Sequence, residues 1–357
     1  MLISKRGTQA RGCETCKSEG ADCSSGADRR EAEPRSAHRK KRRTITLPPP
    51  ISSGIGKIGP QGFRMAEGYV HRPDGACIRF KDWGAEDAQP LFLHHGWPLC
   101  SDDWDALGQI FVKEGFRIIA HDRRGHGKSS QLCAGHDLDV YADDVAEIVD
   151  VLDLTNTVHI GHSVGASEAL AYVARRGAET AAGLVLISSM PYSSVSICKQ
   201  GGVERGPFPD FDCLENCMIQ LAKNGARFYL DLPYGPFYGF NHSKKNTHIG
   251  LVLNFWRQSM AGDSLSHFQS VQAVLEADQS QDLEAVAVPT LLLHGGGDQL
   301  MPASETAALT ACRIKHARLR IYPKSPHGIL ATDADVLGRD ILTFVKARCR
   351  PAAPSTA

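Results

Sequence analysis

From Gly68 onward the chain alternates short apolar runs with stretches whose apolar positions recur at helical spacing. Residues 69–72 and 77–83 read as a β-hairpin turned by Pro73-Asp74-Gly75. Leu91-Phe92-Leu93 is a short strand ending in His94-His95-Gly96. A helix near 101–114 follows, then a strand from Arg117 to Ala120. Val140 to Leu154 repeats at helical period. Val158-His159-Ile160 predicts a strand that runs into a glycine-punctuated turn, with a helix from Val164 to Arg176 behind it. Leu184 to Ile187, Thr290 to Leu293 and Arg318 to Tyr322 complete the strands, and a helix from Asp335 to Arg348 closes the pattern. Short, largely apolar strands separated by helices predict a mostly parallel, doubly wound α/β sheet covered on both faces.

One stretch breaks that rhythm. Pro191 to Val288 lies between two strands and is too long for a structureless loop. Leu214 to Lys223 and Leu265 to Ala277 read as helices, so the whole stretch (about 191–288) is expected to be a helical cap over the C-terminal edge of the sheet. Ligands of open α/β sheets bind at that edge.

Composition separates the first residues from the rest. The chain has 357 residues, with 40 Lys+Arg and 40 Asp+Glu. Residues 1–62 hold 13 of the basic and 6 of the acidic ones, and no Phe, Trp or Tyr. A segment this poor in apolar groups cannot offset its chain entropy by burial. Residues 1–64 are therefore read as a disordered basic extension, 65–349 as the folded domain and 350–357 as a tail. The run Arg39 to Arg43 would suit nucleic acid or a nuclear address, or simply be a solvated tail. The balanced charge excludes a wholly nucleic-acid-binding chain. No apolar run is long enough for a membrane span, and Met-Leu-Ile-Ser-Lys-Arg lacks a signal-peptide core. A cytoplasmic protein is expected.

Eleven cysteines raise disulfides and metals, but in that compartment buried free thiols are the default. Cys13-x-x-Cys16 is half a zinc site without a partner pair, and Cys213 and Cys217 would share a helix face as packing. No metal and no cofactor are expected.

The candidate chemistry starts at Gly161-His162-Ser163-Val164-Gly165, a G-x-S-x-G placed between a predicted strand and a predicted helix. That turn lifts a serine hydroxyl to the sheet edge. A hydroxyl is a poor nucleophile until a base takes its proton. In this architecture the order is serine, acid, histidine. Asp298 follows the Leu291-Leu292-Leu293 strand, and His327 stands in Ser325-Pro326-His327-Gly328 after the last strand. Ser163, Asp298 and His327 are thus the expected catalytic triad. An oxyanion hole is expected from the backbone N–H groups of Trp97 and Val164, since Pro98 has none.

These residues carry a resemblance. His95-Gly96-Trp97-Pro98 after a strand, followed by Asp102-Asp103-Trp104-Asp105, resembles the α/β-hydrolase superfamily. More narrowly, the chain is similar to cofactor-free haloperoxidases (non-haem chloroperoxidases) and related arylesterases. Asp122 to Ser130, Gly161-His162-Ser163, Asp298-Gln299 with Met301-Pro302, and Pro326-His327-Gly328 all match that group. The match runs from about Gly68 to Val345. It implies the same triad and oxyanion amides, and makes Asp122 to Ser130 a structural loop of the pocket floor. One departure stands behind the elbow, where the group usually continues with glycines and this chain has Ala166-Ser167. The resemblance also implies a start near Met65, which makes residues 1–64 either a private extension or a misassigned start.

The expected function is a metal-free serine hydrolase acting on a small-molecule ester, or on a carboxylic acid with hydrogen peroxide as the acyl acceptor. Ser163 argues against dehalogenation and epoxide opening, which need an aspartate at the elbow. The competing class is a small-molecule receptor that recruits partners through the cap, and multiple turnover of model esters separates the two.

Overall fold

The computed structural model describes residues 64–132, 134–189, 211–241 and 248–349. The basic run Arg39 to Arg43, the Cys13/Cys16 pair and residues 350–357 lie outside them. Eight strands form one sheet: β1 (Arg64–His71), β2 (Cys77–Gly84), β3 (Pro90–His94), β4 (Arg117–His121), β5 (Thr157–His162), β6 (Ala181–Ile187), β7 (Thr290–Gly295) and β8 (Arg318–Tyr322). Their order is β1-β2-β4-β3-β5-β6-β7-β8. β1 and β2 pair antiparallel, as do β2 and β4, while every pair from β4 to β8 is parallel. β1 begins at Arg64, earlier than the predicted 69–72, because it pairs with β2 along its whole length.

The helices between strands are α1 (Asp105–Lys113), α2 (Leu138–Val151) and α3 (Val164–Arg175). α1 is preceded by a tight 3₁₀ turn at Ser101–Trp104, which shortens the helix predicted near 101–114. Between β6 and β7 the described residues are mostly helical. They form α4 (Phe211–Leu232), a wide turn at Pro233–Phe237, α5 (Ile249–Ser259), α6 (Ser264–Glu276) and α7 (Ser280–Ala285). After β7 come α8 (Ala307–Arg313), α9 (Ile329–Thr332) and α10 (Ala334–Arg348). No helix among the described residues is long and apolar enough to cross a membrane. Cys77, Cys100, Cys312 and Cys349 are free thiols.

The central strands are apolar at successive positions because each position faces a different core. Leu91, Leu93, Val158, Ile160, Val185, Ile187, Leu291 and Leu293 face α1 and α10. Phe92, Leu184, Leu186 and Leu292 face α2 and α3. This two-sided burial removes the alternation a one-sided sheet would show. Because β3 to β8 run parallel, their C-terminal ends lie at one edge, where β3, β5 and β7 deliver His94, His162 and Gly295.

Leu293 is fully buried in the middle of this arrangement. Leu293→Ala should destabilise the protein by about 2–5 kcal/mol through lost transfer energy and a residual cavity. Urea unfolding followed by fluorescence measures this, and a loss under about 1 kcal/mol would mean the site collapses or is not core.

Candidate active site

The turn between β5 and α3 is tight because both flanking glycines are pressed against backbone. A Cβ on Gly161 would collide with the Gly165 carbonyl oxygen, and one on Gly165 with the His94 carbonyl oxygen. Between them Ser163 holds φ 53° and ψ −121°. A non-glycine residue there is strained, and the surrounding packing must hold it. Ser163 immediately precedes the first residue of α3, where first-turn amides have no intrahelical acceptor.

The structure brings the three side chains together into one hydrogen-bonded line. Ser163 Oγ lies 3.0 Å from His327 Nε2, and His327 Nδ1 lies 2.8 Å from Asp298 Oδ2. All three residues are buried. Asp298 hangs on the loop just past β7. Its second oxygen accepts the backbone N–H groups of Leu300 and Met301, at 2.9 and 2.8 Å. His294 Nε2 stands 3.3 Å from Asp298 Oδ2 and 2.6 Å from the Met301 carbonyl. A carbonyl only accepts, so that nitrogen carries a proton. Burial alone would raise the Asp298 carboxyl pKa, but the His327 and His294 rings outweigh it and hold it well below the ordinary range.

The histidine loop is fixed from two sides. His162, beside Ser163 on the elbow, donates from Nε2 to the His327 carbonyl at 3.0 Å. Ser188, just past β6, donates to the same carbonyl at 3.3 Å. From the helical region Phe237 packs its ring 5.2 Å from that of His327 and accepts the Gly328 N–H at 2.8 Å.

Trp97 stands in the loop after β3. A Cβ on Gly96 would lie 2.7 Å from His162 Nδ1, so this loop runs directly against the elbow. The Trp97 indole donates to the His267 carbonyl on α6 at 2.8 Å. The pocket-floor loop expected at Asp122 to Ser130 is organised by Asp122. Its carboxylate accepts the backbone N–H groups of Ser101 and Lys128, each at 2.9 Å, and pairs with Arg79 at 3.4 Å.

Sequence reasoning missed His162, His294, Ser188 and Phe237, which support the line without joining it. It also found no ligand cluster in the folded domain, whereas His94, His121 and Glu168 converge under α3. The signal available was an acid, Glu168, in the middle of an otherwise apolar helix. The donor atoms of this trio are already engaged, and Arg123 pairs with the same carboxylate at 3.1 Å, which opposes a cation.

Residues 89–334 match the model of the alpha/beta hydrolase fold family. The chain belongs to the α/β-hydrolase family. It is 46% identical over 281 residues to a non-heme chloroperoxidase of Burkholderia pyrrocinia, covering 78% of this chain and 99% of that protein. It is 44% identical to a bifunctional esterase/perhydrolase of Acinetobacter calcoaceticus, with the same coverage of each chain. Among solved structures, a bromoperoxidase from Bacillus anthracis aligns with a TM-score of 0.72 at 25% identity, over 80% of this chain and all of that one.

Two measurements test this account of the site. Gly165→Ala forces the elbow away from the β3 loop and should lower esterase turnover by about tenfold or more, since a misplacement of about 1 Å can cost about a hundredfold in catalysis. Unchanged turnover would mean the elbow tolerates the shift. The second concerns acid stability. Burial leads the causes that push His94 down to about 4 and His162 and His267 down to about 3, from an ordinary 6.5. The unfolded chain therefore takes up these protons first. Stability is full above pH 6.5 and falls as pH drops towards 4 and then 3, by about 1.4 kcal/mol per unit for each group. A melting temperature flat from pH 7 to 5 would contradict this.

Proposed function

We propose that the chain is a metal-free serine hydrolase that cleaves small-molecule esters through an acyl-enzyme and can pass the acyl group to hydrogen peroxide. The observation that carries this reading is the unbroken line from Ser163 Oγ through His327 to Asp298 at the sheet edge. The names of the relatives, a non-heme chloroperoxidase and an esterase/perhydrolase, support the same chemistry. In this reading residues 65–349 are the hydrolase domain, and the helices between β6 and β7 are its cap.

The steps follow from the geometry. His327 accepts the Ser163 proton as Oγ attacks the ester carbonyl carbon. Asp298, held ionised, keeps the His327 proton on Nδ1 and balances the imidazolium. The oxyanion forms where the Trp97 and Val164 N–H groups can donate, each worth about 3 kcal/mol in the transition state. The C–O bond of the ester breaks, and the alcohol leaves with the proton from His327. Water then attacks the acyl-serine and gives a proton to His327; the acyl–Oγ bond breaks, His327 returns the proton to Ser163 Oγ, and the carboxylic acid is released. Hydrogen peroxide in place of water releases a peracid, whose terminal oxygen oxidises halide to hypohalous acid away from the site. A carboxylic acid can acylate Ser163 with loss of water, so the same residues serve both reactions.

Ser163→Ala should abolish ester cleavage and peroxide-dependent halogenation together while the far-ultraviolet circular dichroism is unchanged. A folded variant that still halogenates would separate the two reactions and overturn the shared line. Asp298→Asn loses control of the His327 tautomer and should cost at least about a hundredfold in kcat. Retention of more than a tenth of the activity would remove Asp298 from its role. Both activities should survive exhaustive dialysis against a chelator. A loss restored by one metal ion would show that an ion takes part.

A further inference from the structure

A second buried cluster lies under α3, and the proposed reaction makes no use of it. Glu168 is fully buried on α3, the helix that begins at the elbow. Its Oε1 accepts from His121 Nε2 at 3.2 Å and from Arg123 Nε at 3.1 Å. Its Oε2 accepts from His94 Nδ1 at 3.0 Å and from Arg123 Nη2 at 3.1 Å. A carboxylate offers about four lone-pair positions, so this one is saturated. His94 turns its other nitrogen to His159 Nδ1 at 3.0 Å. Burial keeps His94 and His159 neutral, and the Arg123 guanidinium places a permanent positive charge against Glu168.

Arg123 carries this network to the loop that holds Trp97. Its Nη2 also donates to the His95 carbonyl at 2.9 Å, and its backbone N–H donates to His95 Nε2 at 2.9 Å. His95 Nδ1 lies 2.9 Å from the Gly96 carbonyl and must donate to it. The His95 proton is therefore on Nδ1, and Nε2 keeps the lone pair that the Arg123 amide needs. Burial and the nearby Arg123 hold the ring in this neutral form. The His94 and His95 carbonyls press on Gly165 from the other side. The loop that leads into Trp97 is thus clamped between the elbow and a charged fork.

We propose that Glu168 is a positioning residue for the oxyanion hole: through the two-pronged ion pair with Arg123 it fixes the His95-Gly96-Trp97 backbone against the elbow. One carboxylate on α3 and one guanidinium from the β4 loop thereby set the spacing between the two amides, Trp97 and Val164. This rests on the oxyanion assignment made above.

The test uses Glu168→Gln in the full-length protein, which keeps the side chain's shape and removes its charge. Three quantities are read: kcat and KM for p-nitrophenyl acetate, the inhibition constant of phenylboronic acid, and labelling of Ser163 by a fluorophosphonate. The boronate forms a tetrahedral adduct on Ser163 that places an oxygen in the hole. The expected result is a kcat lower by at least about tenfold with KM within about threefold, and boronate binding weakened by a similar factor. Arg123→Lys keeps a cation beside Glu168 but lacks the fork that also reaches the His95 carbonyl. It should show the same pattern in smaller measure. A folded E168Q or R123K with a lower melting temperature but normal kcat and boronate affinity overturns the proposal, because the network is then structural only. A rise confined to KM overturns it equally. If wild-type protein is not labelled at Ser163, the serine-hydrolase reading itself fails. If it is labelled and the variants keep their kcat, the positioning role alone fails.

Discussion

The site depends on one constraint, the contact of backbone with backbone around Ser163. β5 and α3 meet so closely that neither Gly161 nor Gly165 has room for a side chain, and the serine between them is driven to positive φ. This single turn places Ser163 at the sheet edge, immediately before the first residue of α3. It also brings the β3 loop, with Gly96 and Trp97, against the elbow. Remove the close approach and the remaining parts have nothing to align to. The strain is stored where two layers of core, one on each face of the sheet, can oppose it.

Around that turn, the buried charges are paired. Asp298 sits among two histidines and two backbone amides, so its charge survives burial. The neighbouring histidines His94, His95, His159 and His162 meet the same demand in the opposite way, by staying neutral. Each then has one donor nitrogen and one acceptor nitrogen, and the bonds they make decide which is which. A neutral ring at His162 can hold the His327 loop by its carbonyl without adding a second positive charge beside the imidazolium that forms during catalysis. Electrostatic stabilisation in a dry site is strong for the same reason that unpaired charge there is costly.

Much of this could be read from the residues. G-x-S-x-G flanked by Val158-His159-Ile160 and an apolar helical repeat identifies the elbow, because the strand and the helix are each visible by period. Asp298 was legible because it closely follows the apolar run Leu291-Leu292-Leu293, and His327 because it closely follows the last strand, Arg318 to Tyr322. The supporting groups were hidden. His162 and His294 look like any of fifteen histidines, and their role depends on which carbonyl they face across the sheet edge. Glu168 and Arg123 are 45 residues apart and meet only because α3 packs on the face of the sheet from which the β4 loop emerges. The helices that follow β6 were legible in two segments, Leu214 to Lys223 and Leu265 to Ala277. Ile249–Ser259 escaped because its apolar positions are divided between Phe255 in the core and Ile249 and Leu253 in solvent.

The central claim is that an acyl group passes through Ser163. Its most direct test is to mix the protein with p-nitrophenyl acetate, quench in acid during turnover, and locate the acyl group by peptide mass spectrometry. The account predicts acetyl on the peptide that contains Ser163, and none when His327 is replaced by alanine. Acetyl on a different residue that forms and decays at the turnover rate, or full turnover with Ser163 chemically blocked, would contradict it.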